Sequence, residues 1–160
     1  MKYALSLIAI AAFASADDHG FPSDSMFHAS CHMTATLPST SCTDAKTKMV
    51  QLIQDNVDTD SQYKGTMALK EQGDDWIWST RLTYNKKYTD DQLFELSDEA
   101  SGCKITARSR SQAMSYLDNS VNFCNMWNIA SRAGTGMTYT VSDCHSHPDS
   151  GKEASTCERY

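Results

Sequence analysis

The sequence predicts an α+β fold in which one N-terminal helix packs on an antiparallel meander sheet of four to five strands, stabilised by disulfides. Residues 43–58 form one helical segment with a single apolar face, whereas later segments alternate apolar and polar residues with the period of two that a strand requires. An even set of cysteines follows an apolar leader, which is typical of disulfide-bonded secreted proteins. The six cysteines are Cys31, Cys42, Cys103, Cys124, Cys144 and Cys157.

The first residues of the 160-residue chain have the pattern of a secretory signal peptide. Lys2 precedes a short apolar run, and Ala14-Ser15-Ala16 is a small-residue cleavage site. The apolar run is about half the roughly 20 residues that a membrane-spanning helix needs, so we expect no membrane span. The expected parts are a signal peptide over 1–16 and one secreted domain over 17–160, divided into an arm (17–40), a helix-plus-sheet core (41–143) and a stapled tail (144–160).

The segment 43–58 is the best helix in the chain. Its apolar residues recur at steps of four, three, one and four, which places them on one helical face. Thr43 is a favourable N-cap, and Asp44 lies in the first turn, where a negative charge is stabilising. We expect this helix to pack across one side of the sheet.

The strands follow the helix. The segments 65–72 and 76–84 flank Gly73-Asp74-Asp75, a turn composition, and predict a hairpin in which Trp76 and Trp78 face the core. Residues 89–98 fit either a short helix with a capping box or a strand, and we favour the strand because it gives short connections. The remaining predicted strands are the two arms of a long central hairpin over 103–130, turning at Asp118-Asn119-Ser120, and a short strand over 137–141.

This order of elements, a helix followed by a curved antiparallel sheet, resembles the cystatin-like arrangement. The resemblance concerns element order alone. The tip of the first hairpin reads Gln72-Gly73-Asp74-Asp75-Trp76, which is not the Q-x-V-x-G motif of the cystatin inhibitors. No functional residue is therefore transferred from that family.

Disulfide pairing is left open by the sequence, because six cysteines allow many connectivities. We favour sequential pairing (Cys31–Cys42, Cys103–Cys124 and Cys144–Cys157), because the first and last bonds would attach the polar arm and the polar tail. The middle pair conflicts with a regular hairpin, in which Cys124 would face a residue near Met114. No C-x-x-C spacing indicates a redox site or a zinc ribbon.

Two groups of residues are candidates for ligand binding. Basic side chains on the solvent-exposed face of the central strand provide guanidinium groups that bind carboxylate, sulfate or phosphate. Asparagines recur every third residue around Trp127, and amides beside an aromatic ring suit a carbohydrate. The alternatives are a solvated sheet face and backbone-bonded asparagines in bulges. The predicted ligand-binding residues are Arg108, Arg110, Gln112, Asn122, Asn125 and Trp127.

Three metal sites are conceivable. Cleavage after Ala16 would leave Asp17-Asp18-His19 at the N-terminus, where the amine, two amides and the His19 imidazole would form the square-planar site that copper prefers. A zinc site could combine His28, His32, His145 and His147, although disulfides explain the neighbouring cysteines better. Calcium could bind Asp55, Asp58 and Asp60, although the EF-hand pattern fails there.

Composition and motifs favour binding over catalysis. The formal net charge of −6 argues against nucleic acid and anionic membranes as partners. No P-loop, G-x-S-x-G or H-E-x-x-H motif is present. We therefore expect a secreted domain without an essential cofactor that binds a small polar or anionic ligand, a carbohydrate or a protein on its sheet face. A protease inhibitor, a small extracellular hydrolase and a structural matrix or cell-wall protein remain as alternatives.

Overall fold

The computed structural model describes residues 19–55 and 65–160, which form a mixed α+β fold. The strands in this part of the chain are β1 (Ser30–Pro38), β2 (Gly65–Gln72), β3 (Trp76–Thr83), β4 (Thr89–Glu99), β5 (Gly102–Ser111) and β6 (Thr138–Ser142). The helices are α1 (Cys42–Asp55), α2 (Val121–Ala133) and α3 (Glu153–Cys157). The signal-peptide segment and the acidic residues Asp58 and Asp60 lie outside the described residues.

All six strands form one antiparallel sheet in the order β2-β3-β4-β5-β1-β6. The run from β2 to β5 is the predicted meander, and the interpretation of 89–98 as a strand is confirmed by β4. The strand β1 lies between β5 and the edge strand β6, so the N-terminal part of the chain is inside the sheet. None of the helices in the described ranges is long and apolar enough to span a membrane.

The prediction of a coil arm over 17–40 is wrong for residues 30–38, which form β1. Its odd-numbered residues are buried in the core, whereas histidine and threonine alternate with them on the other face. The period of two was therefore present in the sequence. The buried residues of β1 are Cys31, Met33, Ala35 and Leu37.

The prediction of a strand for the second arm of the central hairpin is also wrong, because residues 121–133 form the helix α2. Phe123, Met126 and Ile129 are fully buried at steps of three, which is helical spacing. The asparagine recurrence that we assigned to a strand has the same step. The cystatin-like element order and the count of four to five strands therefore do not fit, since β1 precedes α1 and α2 separates β5 from β6.

The core lies between one face of the sheet, called the inner face here, and the helices α1 and α2. Met49 and Ile53 of α1 and Phe123 of α2 pack in the same cluster as Phe94 and Ile105 of the sheet. A smaller cluster of Phe21, Trp78 and Leu93 lies on the opposite, outer face. Both faces of the sheet are thus covered where the tryptophans lie.

The six cysteines form three disulfides, as predicted, but the sequential pairing is wrong. Cys31–Cys144 joins β1 to the segment after β6, and Cys42–Cys103 joins the start of α1 to the start of β5. Cys124–Cys157 joins α2 to α3. Each bond therefore links elements that are distant along the chain and adjacent in the fold.

Candidate functional site

The inner face of the sheet changes from apolar to polar towards one end. In the register of β3, β4 and β5, the apolar row of Ile77 and Phe94 is followed by a row of Ser79, Gln92 and Ser109. The next row contains Arg81, Asp90 and Ser111. All six polar residues are buried, so they need partners inside the protein.

Asparagines on α2 supply many of those partners. The Nδ2 amide of Asn125 donates to Asp90 Oδ2 at 3.0 Å and to Ser109 Oγ at 3.2 Å. The hydroxyl of Ser109 donates to Asn122 Oδ1 at 2.8 Å. The asparagines therefore attach α2 to the polar end of the sheet, and they do so from fully buried positions.

A buried arginine and a buried aspartate are neighbours in this cluster. Arg81 and Asp90 are cross-strand partners on β3 and β4. Burial lowers the pKa of the Arg81 guanidinium, and the charge of Asp90 opposes that shift. The hydroxyl of Ser111 donates to Asp90 Oδ1 at 2.7 Å, and Arg81 Nη2 donates to the Tyr160 carbonyl oxygen at 2.9 Å. The last residue of the chain is therefore attached to the polar cluster.

A cavity of about 710 Å³ opens beside this cluster, between the ends of β3 and β4, the segment 115–121 and residues 159–160. Its buried base contains Arg81, Asp90 and Asp118. Pockets of about 300–1,000 Å³ with a few convergent polar groups are typical of small-ligand sites. The aromatic residues that line it are Tyr84, Tyr88, Tyr116 and Tyr160.

Asp118 is a buried carboxyl group at the base of the cavity. It is 5% exposed, and no described residue forms a hydrogen bond to its Oδ2. Burial raises the pKa of Asp118 to about 6, and the nearby charge of Asp90 adds to the rise against the hydrogen bonds from Asn122 and the charge of His145. A carboxyl group of this kind changes charge near neutral pH, and its second oxygen is buried without a hydrogen-bond partner among the described residues.

The backbone after Asp118 is unusual for residues with a side chain. Asn119 and Ser120 have φ angles of 49° and 66°, two consecutive left-handed conformations immediately before α2. Such conformations cost energy in non-glycine residues and concentrate at functional sites. The hydroxyl of Tyr160 donates to the Asn119 carbonyl oxygen at 2.7 Å, so this turn is held by the cavity wall.

The large apolar side chains that the described residues leave exposed all lie around this end of the molecule. Tyr84, Tyr88, Tyr116 and Leu117 line the cavity. The loops that carry the others are joined by backbone hydrogen bonds, from Ser115 to the Phe27 carbonyl and from Ala29 to the Ser115 carbonyl. Met26, Phe27, Met114 and Leu117, with exposed fractions of 75%, 61%, 76% and 80%, are called the apolar patch here because the two loops that carry them are bonded to each other.

The predicted ligand-binding residues do not form one groove. Arg108 and Arg110 lie half-buried on the outer face, where Arg108 covers the Phe21 ring at 5.1 Å. The amide of Gln112 donates to Asp91 Oδ2 at 3.0 Å. Asn122 and Asn125 are buried against the inner face, and Trp127 is half-buried against the main core.

The predicted metal ligands are dispersed among other contacts. The His19 ring stacks on Trp76 with centroids 4.1 Å apart, and its neighbours Asp17 and Asp18 lie outside the described residues. His32 contacts Asp24 at 2.5 Å, and His28 contacts the Ser111 carbonyl oxygen at 2.9 Å. Among residues 19–55 and 65–160, no group of three or more His, Cys, Asp or Glu residues could hold a metal ion.

Comparison with known proteins gives no functional guide. No protein-family model matches the chain, and no curated protein or solved structure is significantly similar to it. The cavity residues must therefore be interpreted from their own chemistry.

Sequence reasoning missed the residues at the base of this cavity. The strand parity could have identified two of them, because Arg81 follows Ile77 at an even step and Asp90 precedes Phe94 at an even step. A charged residue on the buried parity of a strand is a sign of a functional or paired site. For Asp118 the sequence contains no comparable signal, since its position depends on the turn before α2.

Proposed function

We propose that the protein is a secreted binding domain that takes a small polar ligand into the cavity at the end of its sheet. One observation carries the proposal: buried charged groups and four tyrosine rings line the same concave space of about 710 Å³. Buried polar groups fix the orientation of a ligand, and aromatic rings supply contact area at low entropic cost. Three disulfides are compatible with an extracellular location.

This site differs from the sheet face that the sequence favours. On the outer face, Arg108 is already covered by its contact with Phe21, and Arg110 faces Asp91 across the strand pair. The carboxylate opposite Arg110 offsets its positive charge, which weakens the attraction of this face for an anionic ligand. The cavity, in contrast, combines depth, a buried carboxyl oxygen without a partner and exposed aromatic rings.

The proposal is tested with the full chain and a panel of small polar compounds. We would screen neutral sugars, sulfated or phosphorylated sugars and amino-alcohol phosphates by native mass spectrometry, and would measure each hit by titration calorimetry. Tyr84→Ala and Tyr116→Ala remove rings that are 77% exposed, so both variants are expected to fold. Thr34→Ala, on an exposed position of β1 outside the cavity, is the control.

We expect at least one compound to bind with a stoichiometry of one, and each tyrosine variant to lose about threefold or more in affinity. The threonine variant should match the wild type. Binding that is equally strong in all three variants would move the site away from the cavity. A complete absence of binding by a folded chain would overturn the proposal.

A further inference from the structure

We infer that the ligand of the cavity is a choline-type phosphodiester headgroup, with its quaternary ammonium beside Asp118 and the tyrosines and its phosphate beside Arg159. This inference rests on the proposed function and names the ligand class. It follows from the order in which charges, rings and apolar side chains occur from the base of the cavity to the surface around its mouth.

The base of the cavity has an excess of negative charge. The buried charged groups that line it are one cation, Arg81, and two carboxylates, Asp90 and Asp118. Asp118 Oδ2 lacks a hydrogen-bond partner among the described residues. A cationic group of the ligand would therefore gain most at this depth.

The tyrosines suit a cation that carries no N–H donors. Four phenol rings line one cavity, and a quaternary ammonium is bound by aromatic faces rather than by hydrogen bonds. A primary ammonium is instead bound by hydrogen bonds from its N–H groups to several acceptors. The ring content thus favours trimethylammonium over a primary amine.

The positive charge at the cavity lies nearer to solvent. Arg159 is exposed and lines the cavity, and its guanidinium carbon is 4.9 Å from the centre of the Tyr160 ring. A guanidinium that stacks on a ring is held in orientation and keeps its donors for a phosphate. A zwitterion with a buried cation and an outer phosphate therefore matches the buried position of Asp118 and the exposed position of Arg159.

Exposed apolar side chains lie on the loop that lines the cavity and on the loop bonded to it, which points to a headgroup that belongs to a lipid. Leu117 lines the cavity and is also part of the apolar patch with Met26, Phe27 and Met114. Exposed apolar side chains of this number mark an interaction site. The segments 23–29 and 112–118 that carry them contain no Lys or Arg, so a zwitterionic membrane surface fits better than an anionic one.

The first experiment uses titration calorimetry of the full chain with phosphocholine, phosphoethanolamine and inorganic phosphate at neutral pH. We expect phosphocholine to bind about tenfold or more tightly than either of the other two. Asp118→Asn and Arg159→Gln should each weaken phosphocholine binding by about tenfold. Lys48→Gln, an exposed charge on α1 outside the cavity, should leave the affinity unchanged.

The second experiment determines the source of the headgroup by flotation with phosphatidylcholine vesicles. Phe27→Ala and Met114→Ala change the patch without touching the cavity lining. We expect both variants to weaken vesicle binding by about fivefold or more and to leave the affinity for soluble phosphocholine unchanged. Soluble binding without vesicle binding would support the headgroup chemistry and overturn the lipid source.

The outcomes separate this inference from the proposal on which it rests. Tyrosine-dependent binding of another compound, with no preference for phosphocholine, would overturn the inference and leave the proposed function standing. Equal affinity for phosphoethanolamine would overturn the role of the tyrosine rings. No binding of any compound by the folded wild type, as judged by its circular dichroism, would overturn both.

Discussion

Asp118 and Asn122 are joined by two hydrogen bonds to the same oxygen. Oδ1 of Asp118 accepts from the backbone N–H of Asn122 at 3.1 Å and from its Nδ2 amide at 2.7 Å. One oxygen of the carboxyl group thus stabilises the start of α2, and the other has no partner among the described residues. The structural role and the ligand-binding role of Asp118 can therefore be separated by replacing one oxygen.

We predict that Asp118→Asn stabilises the protein above pH 6. The amide keeps the oxygen that caps α2 and removes a buried charge. In the wild type, the folded pKa of about 6 lies above the ordinary value of 3.8. The folded state therefore binds more protons between these values, and the free energy of unfolding falls by about 3 kcal/mol as the pH rises through them.

Urea unfolding at several pH values between about 4 and 8 checks this prediction. The difference between variant and wild type should be small near pH 4 and should grow towards pH 7. Asp90 and His145 remain in both proteins and contribute the same background. Parallel stability curves over this range would contradict the assignment of the titration to Asp118.

The affinity for phosphocholine should depend on pH through the same group. A cation gains from the ionised carboxylate, so binding should weaken as the pH falls below about 6. Calorimetric titrations of the wild type and of Asp118→Asn over the same pH range provide the comparison. The variant should bind weakly and with a flatter pH profile. An equally steep profile in the variant would mean that a group other than Asp118 causes the pH dependence.

We predict that the Cys124–Cys157 bond is needed for the cavity more than for the fold. It attaches the segment that carries Arg159 and Tyr160 to α2. Cys124→Ser with Cys157→Ser should cost about 2–4 kcal/mol of stability and should abolish ligand binding. Thermal unfolding and the binding screen measure the two effects.

The Cys42–Cys103 bond provides the matched control for that experiment. Its sequence separation is 61 residues, compared with 33 for Cys124–Cys157, and neither of its cysteines lines the cavity. Replacing both cysteines by serine should cost at least as much stability and should preserve the ligand affinity of the folded fraction. Equal losses of affinity in the two double variants would show that the tail is positioned by other contacts.

Replacing Arg81 by a neutral residue should destabilise the protein strongly, because Asp90 would then be buried without the neighbouring positive charge. Arg81→Met leaves a buried carboxylate without its compensating charge, which costs about 3–5 kcal/mol. Asp90→Asn in the same chain removes that charge and should recover part of the loss. A double-mutant cycle by chemical denaturation measures the coupling, and additive losses would mean that the two charges act independently.

Local patterns predicted most of the sheet but not the face on which each side chain lies. Alternation identifies β3, but the prediction that its tryptophans face the core is wrong for the main core, which contains Ile77, whereas Trp78 packs with Phe21 on the other face. The helix α2 was predicted as a strand because the segment follows an alternating strand and a turn-like sequence. Their buried partners, such as Asp90, come from distant strands, and no local pattern encodes such contacts.

Neither the pairing of the cysteines nor the location of the cavity could be predicted from the sequence, for a similar reason. Cys31 and Cys144 become neighbours because β1 inserts between β5 and β6. The cavity brings together Tyr84, Asp118 and Tyr160, which belong to three separate segments. Hydrophobic periodicity reports on one segment at a time, so it contains no information on which ends of segments meet.

The position of β1 has a consequence for how the protein folds. This strand pairs with β5, which is completed only at Ser111, and with β6, which ends at Ser142. The strand β1 can therefore complete its pairing only after most of the chain has been synthesised. Such long-range pairing makes folding slow, and premature oxidation of Cys31 with its near neighbour Cys42 would trap the chain before β1 could insert. We therefore expect the order in which the thiols are oxidised to limit the yield of native protein.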